Sequence, residues 1–395
     1  MTTTLTQDAS SARAPPSRAA RVARRTDFDL LRILICCLVI FAHALLIFTG
    51  SPPYHLQSEI QSPTAAVIYQ FIRITSMPVF FLLAGWSAVG SLRRRDAGRF
   101  MLERTKRLLV PLIAGTALLG SIIKYIELSH GRDIGTYGLR LVRPLRANFL
   151  EFFPYNLMCI KLVTWSHLWF LAYLFLISII LLPLLVQLGK RACKATVPGA
   201  MVVYLPVLPL AITLVLFKGY WPWIPSLYND WTNFSYFGIC FLFGAVIAVW
   251  PGFEKRLRTQ VPYLSLVTFL AFAGVLLCGE SSVGRLLVAL TAWGAIGAGL
   301  GLAARFQPTP TPMLAYLSEA TMPVYVLHHV PLLLLAVVLL PLPWPVWLKI
   351  MLIFLPASGI SLAAYHWLVR PWDPIRWLMG MGSSRRTPHG AESLA

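Results

Sequence analysis

Ionisable side chains inside the long apolar runs of this chain are few. Burying them in hydrocarbon is expensive and they turn toward the interior of a bundle, so chemistry is to be sought there. The run FDLLRILICCLVIFAHALLIF holds Arg32 and His43. Eleven residues at about 100° each make three helical turns, so the two side chains return to nearly one face, about 16 Å apart along the axis. Cys36 and Val39 fall on the same stripe. One helix therefore offers a guanidinium at one mouth and an imidazole deep in the apolar run. Taken alone, the pair also reads as a snorkelling arginine and a histidine bonded to a neighbouring helix.

Three further constellations stand out. ERTKRLLVP puts Arg104 and Arg107 one turn apart on one helical face at the entry to a later run, where cations commonly set topology. WSHLWFLAYL places His167 and Trp169 at the end of another run, a position typical of interfacial anchors. YVLHHVP sets His328 and His329 in the middle of a run, where at least one ring must find a buried partner. No carboxylate or cysteine accompanies the pair at useful spacing, so no metal is expected. The six cysteines have no paired spacing and read as small hydrophobes, which argues against a disulfide framework.

The elements that must position these groups follow from composition. Hydrophobic residues make up 57% of the 395 and charged ones only 12%, in apolar runs of the length that crosses a hydrocarbon core of about 30 Å. A net charge of +19 raises the question of nucleic-acid binding, but the charges lie between the runs. Arg18, Arg24 and Arg25 precede the first run, Arg93, Arg94 and Arg95 follow the second, and further clusters lie at Lys190 and Arg191, at Lys255 and Arg256, at Arg305, and at Arg370, Arg385 and Arg386. The intervening connections around 51–65, 219–232, 279–284 and 341–345 hold no Lys or Arg. This alternation is the positive-inside pattern, with attraction to anionic lipid added, and no nucleic-acid partner is expected.

The expected fold is an all-α integral membrane protein with about ten spans and both termini cytoplasmic. The spans run from about Phe28 to Thr49, Ala65 to Val89, Leu108 to Ile126, Ser166 to Leu188, Gly199 to Phe217, Phe234 to Trp250, Tyr263 to Cys278, Arg285 to Ala304, Met313 to Leu340 and Val346 to Val369. Residues 1–26, rich in Ser, Ala, Pro and Arg, read as a disordered basic cytoplasmic tail, 27–378 as one transmembrane domain and 379–395 as a C-terminal cytoplasmic tail. The first run lacks a convincing cleavage site and reads as a retained helix. Trp221, Trp223, Trp231, Trp344 and Trp347 fall at interfaces, as an aromatic belt does. The segment 124–165 breaks the charge alternation with Lys124, Arg132, Arg140 and others; with Phe149, Phe152, Phe153 and Tyr155 it reads as an external acceptor platform or an interfacial anchor.

In order along the chain these positions resemble the membrane acyltransferase 3 family. Asp29, Arg32 and His43 match its opening Asp-x-x-Arg and the histidine eleven residues on. Pro78, Phe80, Phe81, Ala84 and Gly85 match its second-helix pattern, with Ala84 where a serine is usual. Arg104, Arg107 and Pro111 match its Arg-x-x-Arg pair, while His167 to Leu171 and Tyr325 to His328 resemble the branch of glucan-succinylating and other sugar-modifying enzymes.

The resemblance implies a membrane O-acyltransferase that transfers acetyl or succinyl from cytoplasmic acyl-CoA, a co-substrate rather than a bound cofactor, to a carbohydrate hydroxyl. It implies His43 as catalytic residue, with Arg104 and Arg107, and also Arg32, toward the donor. Asp29, His167, Trp169, Tyr325 and His328 are further site candidates, and a bacterial inner membrane is the implied location. Physical chemistry supports those roles. A sugar hydroxyl is a poor nucleophile until a base takes its proton, which an imidazole can do near neutral pH. Guanidinium groups suit the phosphates of coenzyme A. The competing reading is a transporter or flippase of a lipid-linked glycan, with the histidines as a proton relay.

Overall fold

The computed structural model describes residues 25–134, 139–140, 143–159, 161–220, 226–227 and 229–383. The tail expected over 1–26, up to residue 24, lies outside the described residues, as do 384–395 and the belt positions Trp221 and Trp223. Among the described residues the chain is predominantly helical, with almost no sheet. Its one sheet is an antiparallel pair of two-residue strands, β1 (Arg132–Asp133) and β2 (Leu139–Arg140).

Among the described residues, eight helices are each long and apolar enough to cross a membrane: α1 (Thr26–Leu46), α2 (Pro63–Leu92), α3 (Ala97–Ser129), α7 (Ala200–Phe217), α8 (Trp231–Val249), α10 (Val261–Cys278), α11 (Ser282–Phe306) and α14 (Val346–Val369). Two bent pairs pass the same test jointly, α5 (Ser166–Ile180) with α6 (Leu182–Lys190) at 63°, and α12 (Pro312–Leu327) with α13 (His329–Leu339) at 56°. Counting each pair as one span gives ten, the number the hydropathy predicts. Short helices α4 (Phe149–Met158), α9 (Pro251–Thr259) and α15 (Asp373–Leu378) lie between or after them. The protein is a multi-pass α-helical membrane protein.

Helix ends follow local rules. Ser62, Asp96, Ser281 and Thr311 each accept a hydrogen bond from a first-turn N–H, and Asn148 with Glu151 forms a capping box that starts α4. Both bends have a proline cause. Pro183 follows the break at Leu181 and Pro331 follows the break at His328; each lacks an N–H for the previous turn and its ring clashes with that turn's carbonyl.

The core is continuous around α1 and α2. Where α2 crosses α8 the backbones touch: a Cβ on Gly85 would meet Phe241 O at 1.8 Å, and one on Gly244 would meet Leu82 O at 1.9 Å. Without a strong hydrophobic drive between helices in lipid, such close approach supplies the packing. Trp231, Trp344 and Trp347 keep exposed faces, in keeping with a belt.

One correction concerns the segment 124–165. Lys124 is not a loop cation. The third span extends as helix from Ala97 to Ser129, and within it the Lys124 ammonium is 2% exposed and paired with Glu127 and Asp133 at 2.7 and 2.6 Å. A buried ammonium needs such partners, and the sequence distance from Lys124 to Glu127 is one helical turn.

Candidate active site

The bend after α12 creates the site. The last helical turn before a break leaves carbonyls without their usual N–H partners, and in a membrane these must be satisfied locally. Here imidazoles serve two of them: His328 Nδ1 lies 2.7 Å from Tyr325 O, and His167 Nε2, from the start of α5, lies 3.0 Å from Val326 O. The Tyr325 hydroxyl in turn donates to His167 O. His329, on the other side of the break, has its Nε2 2.9 Å from the Tyr54 hydroxyl, carried by the connection that follows α1.

Against this group stands His43. Its ring centroid is 4.9 Å from that of His329, 5.2 Å from His328 and 6.3 Å from His167, and His167 stacks on His329 at 4.5 Å. His43 Nδ1 is 2.8 Å from Val39 O, one turn back on α1, so a proton on Nδ1 is the arrangement that makes this bond. His328 Nε2, 3.4 Å from the same nitrogen, is a second acceptor for that proton, since His328 Nδ1 donates to Tyr325 O. The lone pair of His43 then resides on Nε2. His43 is partly exposed, whereas His328, His329 and His167 are 0%, 1% and 4% exposed. Of the four rings it is the one a substrate can touch most readily.

Three of these rings, His43, His328 and His329, bring a nitrogen each within 4.8 Å of one another, close enough to share a cation. The third imidazole comes from α1, far from the His328–His329 pair in sequence, so spacing along the chain does not reveal it. A cation held there would draw on the His43 lone pair and so oppose proton transfer by that ring.

The opposite end of α1 gathers guanidinium groups, several of them paired with carboxylates: Arg25 and Arg258 share Asp27 and Glu254. Arg32 donates to Ser87 Oγ at 2.7 Å and faces Asp29 at 3.4 Å, and Asp29 also accepts from Ser318 Oγ at 3.0 Å. Ser87 lies three residues, just under one turn, beyond Ala84, so a hydroxyl reaches Arg32 although the serine expected at 84 is missing. Arg104 donates to Ala84 O at 3.5 Å, lies over the Phe100 ring at 5.0 Å, and is close enough to Arg32 and Arg107 to feel their charge. Arg104 and Arg107 do not share one environment: residues 105–109 form a π turn, and the wider turn leaves Arg107 exposed while Arg104 is half-buried.

The structure therefore brings His43, His167, Tyr325 and His328 together at one end, and Asp29, Arg32 and Arg104 at the other, with Arg107 on the rim. Trp169 belongs to neither; it packs edge-on to Tyr173 and against Phe237. Sequence reasoning assigned no site role to His329, which was noted only as one of a pair, and did not single out Tyr54, His55 or Ser87.

The fold and site define an integral membrane protein with a guanidinium cluster and an imidazole cluster at opposite ends of one helix, α1. A family model described as an acyltransferase domain, of acyltransferase family 3, matches residues 25–366. The chain belongs to that family and is an acyltransferase. No curated protein and no solved structure matches it.

Proposed function

We propose that the protein transfers an acyl group, acetyl or succinyl, from cytoplasmic acyl-CoA to a hydroxyl of a carbohydrate, with His43 as general base. The observation that carries this reading is the setting of His43: Nδ1 lies 2.8 Å from Val39 O, which favours a lone pair on Nε2, and the residue is partly exposed, on the helix whose other end presents Arg32. A base so oriented can take the proton of an alcohol as it attacks the acyl carbonyl. The guanidinium groups of Arg32, Arg104 and Arg107 suit the phosphates of coenzyme A, and the alternation of basic connections supports a cytoplasmic position for that end. A bacterial inner membrane suits such an exchange between a cytoplasmic donor and an outward acceptor.

The test is release of free coenzyme A thiol by purified protein in lipid nanodiscs given acetyl-CoA or succinyl-CoA and a glucan acceptor. His43→Ala should lower steady-state turnover by about 10²–10⁴-fold, the usual share of a general base. Unchanged turnover in a folded variant removes His43 from the reaction.

A further inference from the structure

We infer that Ser166, His55 and Glu127 form a nucleophilic site that carries the acyl group as a serine ester between donor and acceptor. Three separate elements contribute: Ser166 is the first residue of α5, His55 lies in the connection between α1 and α2, and Glu127 is near the end of α3. His55 Nε2 is 2.8 Å from Ser166 Oγ, and His55 Nδ1 is 2.5 Å from Glu127 Oε2. The second Glu127 oxygen accepts from Lys124 Nζ at 2.7 Å and from the Ile134 N–H at 2.6 Å. A carboxylate with those donors is ionised and accepts only, so the His55 proton sits on Nδ1. The Nε2 lone pair is then directed at the serine hydroxyl. Nucleophile, base and orienting acid meet the geometric conditions of an activated serine.

Two features of Ser166 exceed what a structural hydrogen bond requires. Its φ is +45°, in the left-handed region that a non-glycine residue rarely adopts, and its N–H is tied to Thr164 Oγ1 at 3.2 Å. It also remains partly exposed while His55 and Glu127 are 6% and 1% exposed, so the hydroxyl is the accessible member of a buried relay. Because Ser166 opens α5, the positive end of that helix lies beside it, where an oxyanion would form. The site adjoins the imidazole cluster. His167 is the next residue, and the His55 ring is 5.4 Å from His329, itself 4.9 Å from His43.

This inference rests on the acyl-transfer reading and adds a covalent step to it. Ser166 Oγ attacks the thioester carbonyl while His55 Nε2 takes the hydroxyl proton; the carbon–sulfur bond breaks, the thiolate leaves and is protonated by water. The acceptor hydroxyl then attacks the serine ester as His43 takes its proton, the ester bond to Ser166 breaks, and the His55 imidazolium returns its proton to Oγ. His43 releases its proton to water, so each cycle yields one O-acyl product and one thiol.

The experiment gives acetyl-CoA, and separately succinyl-CoA, to the full chain in nanodiscs without acceptor, follows thiol release rapidly, and maps acid-quenched peptides by mass. Wild type should show a stoichiometric burst and an acyl mass on Ser166. Ser166→Ala should lose both while keeping its melting temperature. Ser166→Cys should regain an adduct, now a thioester cleaved by hydroxylamine. His43→Ala should retain the burst and hold the ester, since that ring serves the second step. A folded Ser166→Ala variant that transfers acyl groups at the wild-type rate overturns the ester site and leaves the acyl-transfer reading standing. Thiol release from neither donor, with acceptor present, overturns both.

Discussion

Arg104 is half-buried against a carbonyl and an aromatic face, where an arriving phosphate would gain a charge-assisted hydrogen bond. Losing a hydrogen bond to a charged group costs about 1.5–3 kcal/mol. Arg104→Ala should therefore raise KM for acyl-CoA by about tenfold or more with little change in kcat, and Arg104→Lys should restore only part of it. Steady-state kinetics on the purified variants decides the point; unchanged KM would return Arg104 to a topological role. A second residue makes stability depend on pH. Asp230, at the start of α8, is buried; burial outweighs the hydrogen bonds from the Tyr173 hydroxyl at 2.6 Å and Asn233 Nδ2 at 2.8 Å and pushes its carboxyl up to about 6 from an ordinary 3.8. A raised folded-state value means the folded protein binds the extra proton, so this contribution is fully present below about pH 4 and is lost as pH rises through about 6. Relative to Asp230→Asn, wild type should gain melting temperature as pH falls from 7.5 to 4. At this scale the sequence showed Arg32 and His43 sharing a helical face, because helical period is local information. It did not show His55, Glu127 and Ser166 meeting, because they lie 72 and 111 residues apart and belong to three elements.

Among the elements, the broken ninth span matters most. A straight helix through 312–339 would keep the carbonyls of Tyr325 and Val326 in its own ladder and leave His328 and His167 without them. Pro331→Ala restores an N–H and removes the ring clash, so the bend should relax and turnover should fall by at least about tenfold while the protein remains folded, since misplacing a catalytic group by about 1 Å can cost some 10²-fold. Turnover and thermal melting together check this, and an undiminished rate would show that the bend has another cause. The signal was in the sequence as HHVP, a proline two residues past a histidine pair. Hydropathy alone passed over it because the residues on both sides are equally apolar. The length of α3 was underestimated chiefly at its start, where Arg99, Glu103, Arg104, Lys106 and Arg107 depress hydropathy; at its other end the helix runs on past Ile126 because Lys124 and Glu127 pair inside the bundle.

For the whole molecule, ten crossings and an alternation of basic connections lead to a sidedness that can be measured. If both termini face the cytoplasm, Ser383→Cys should react with a membrane-impermeant maleimide only from the cytoplasmic side, and Leu150→Cys, whose parent side chain is 84% exposed on α4, only from the other. Labelling of right-side-out and inverted vesicles is the check, and reaction of both positions from one side would overturn the topology. The number of crossings was legible because hydrocarbon thickness constrains length; the arrangement of the helices was not, because contacts such as Gly85 on Phe241 and Gly244 on Leu82 are set by shape rather than by polarity. That glycine crossing has a mechanical consequence. Backbones in direct contact have no flexible side chains between them to absorb shear, so α2 and α8 are coupled as one stiff plate. Any motion that admits a bulky acceptor or releases its product has to be taken up elsewhere, and the proline breaks at Leu181 and His328 are the compliant joints the bundle provides.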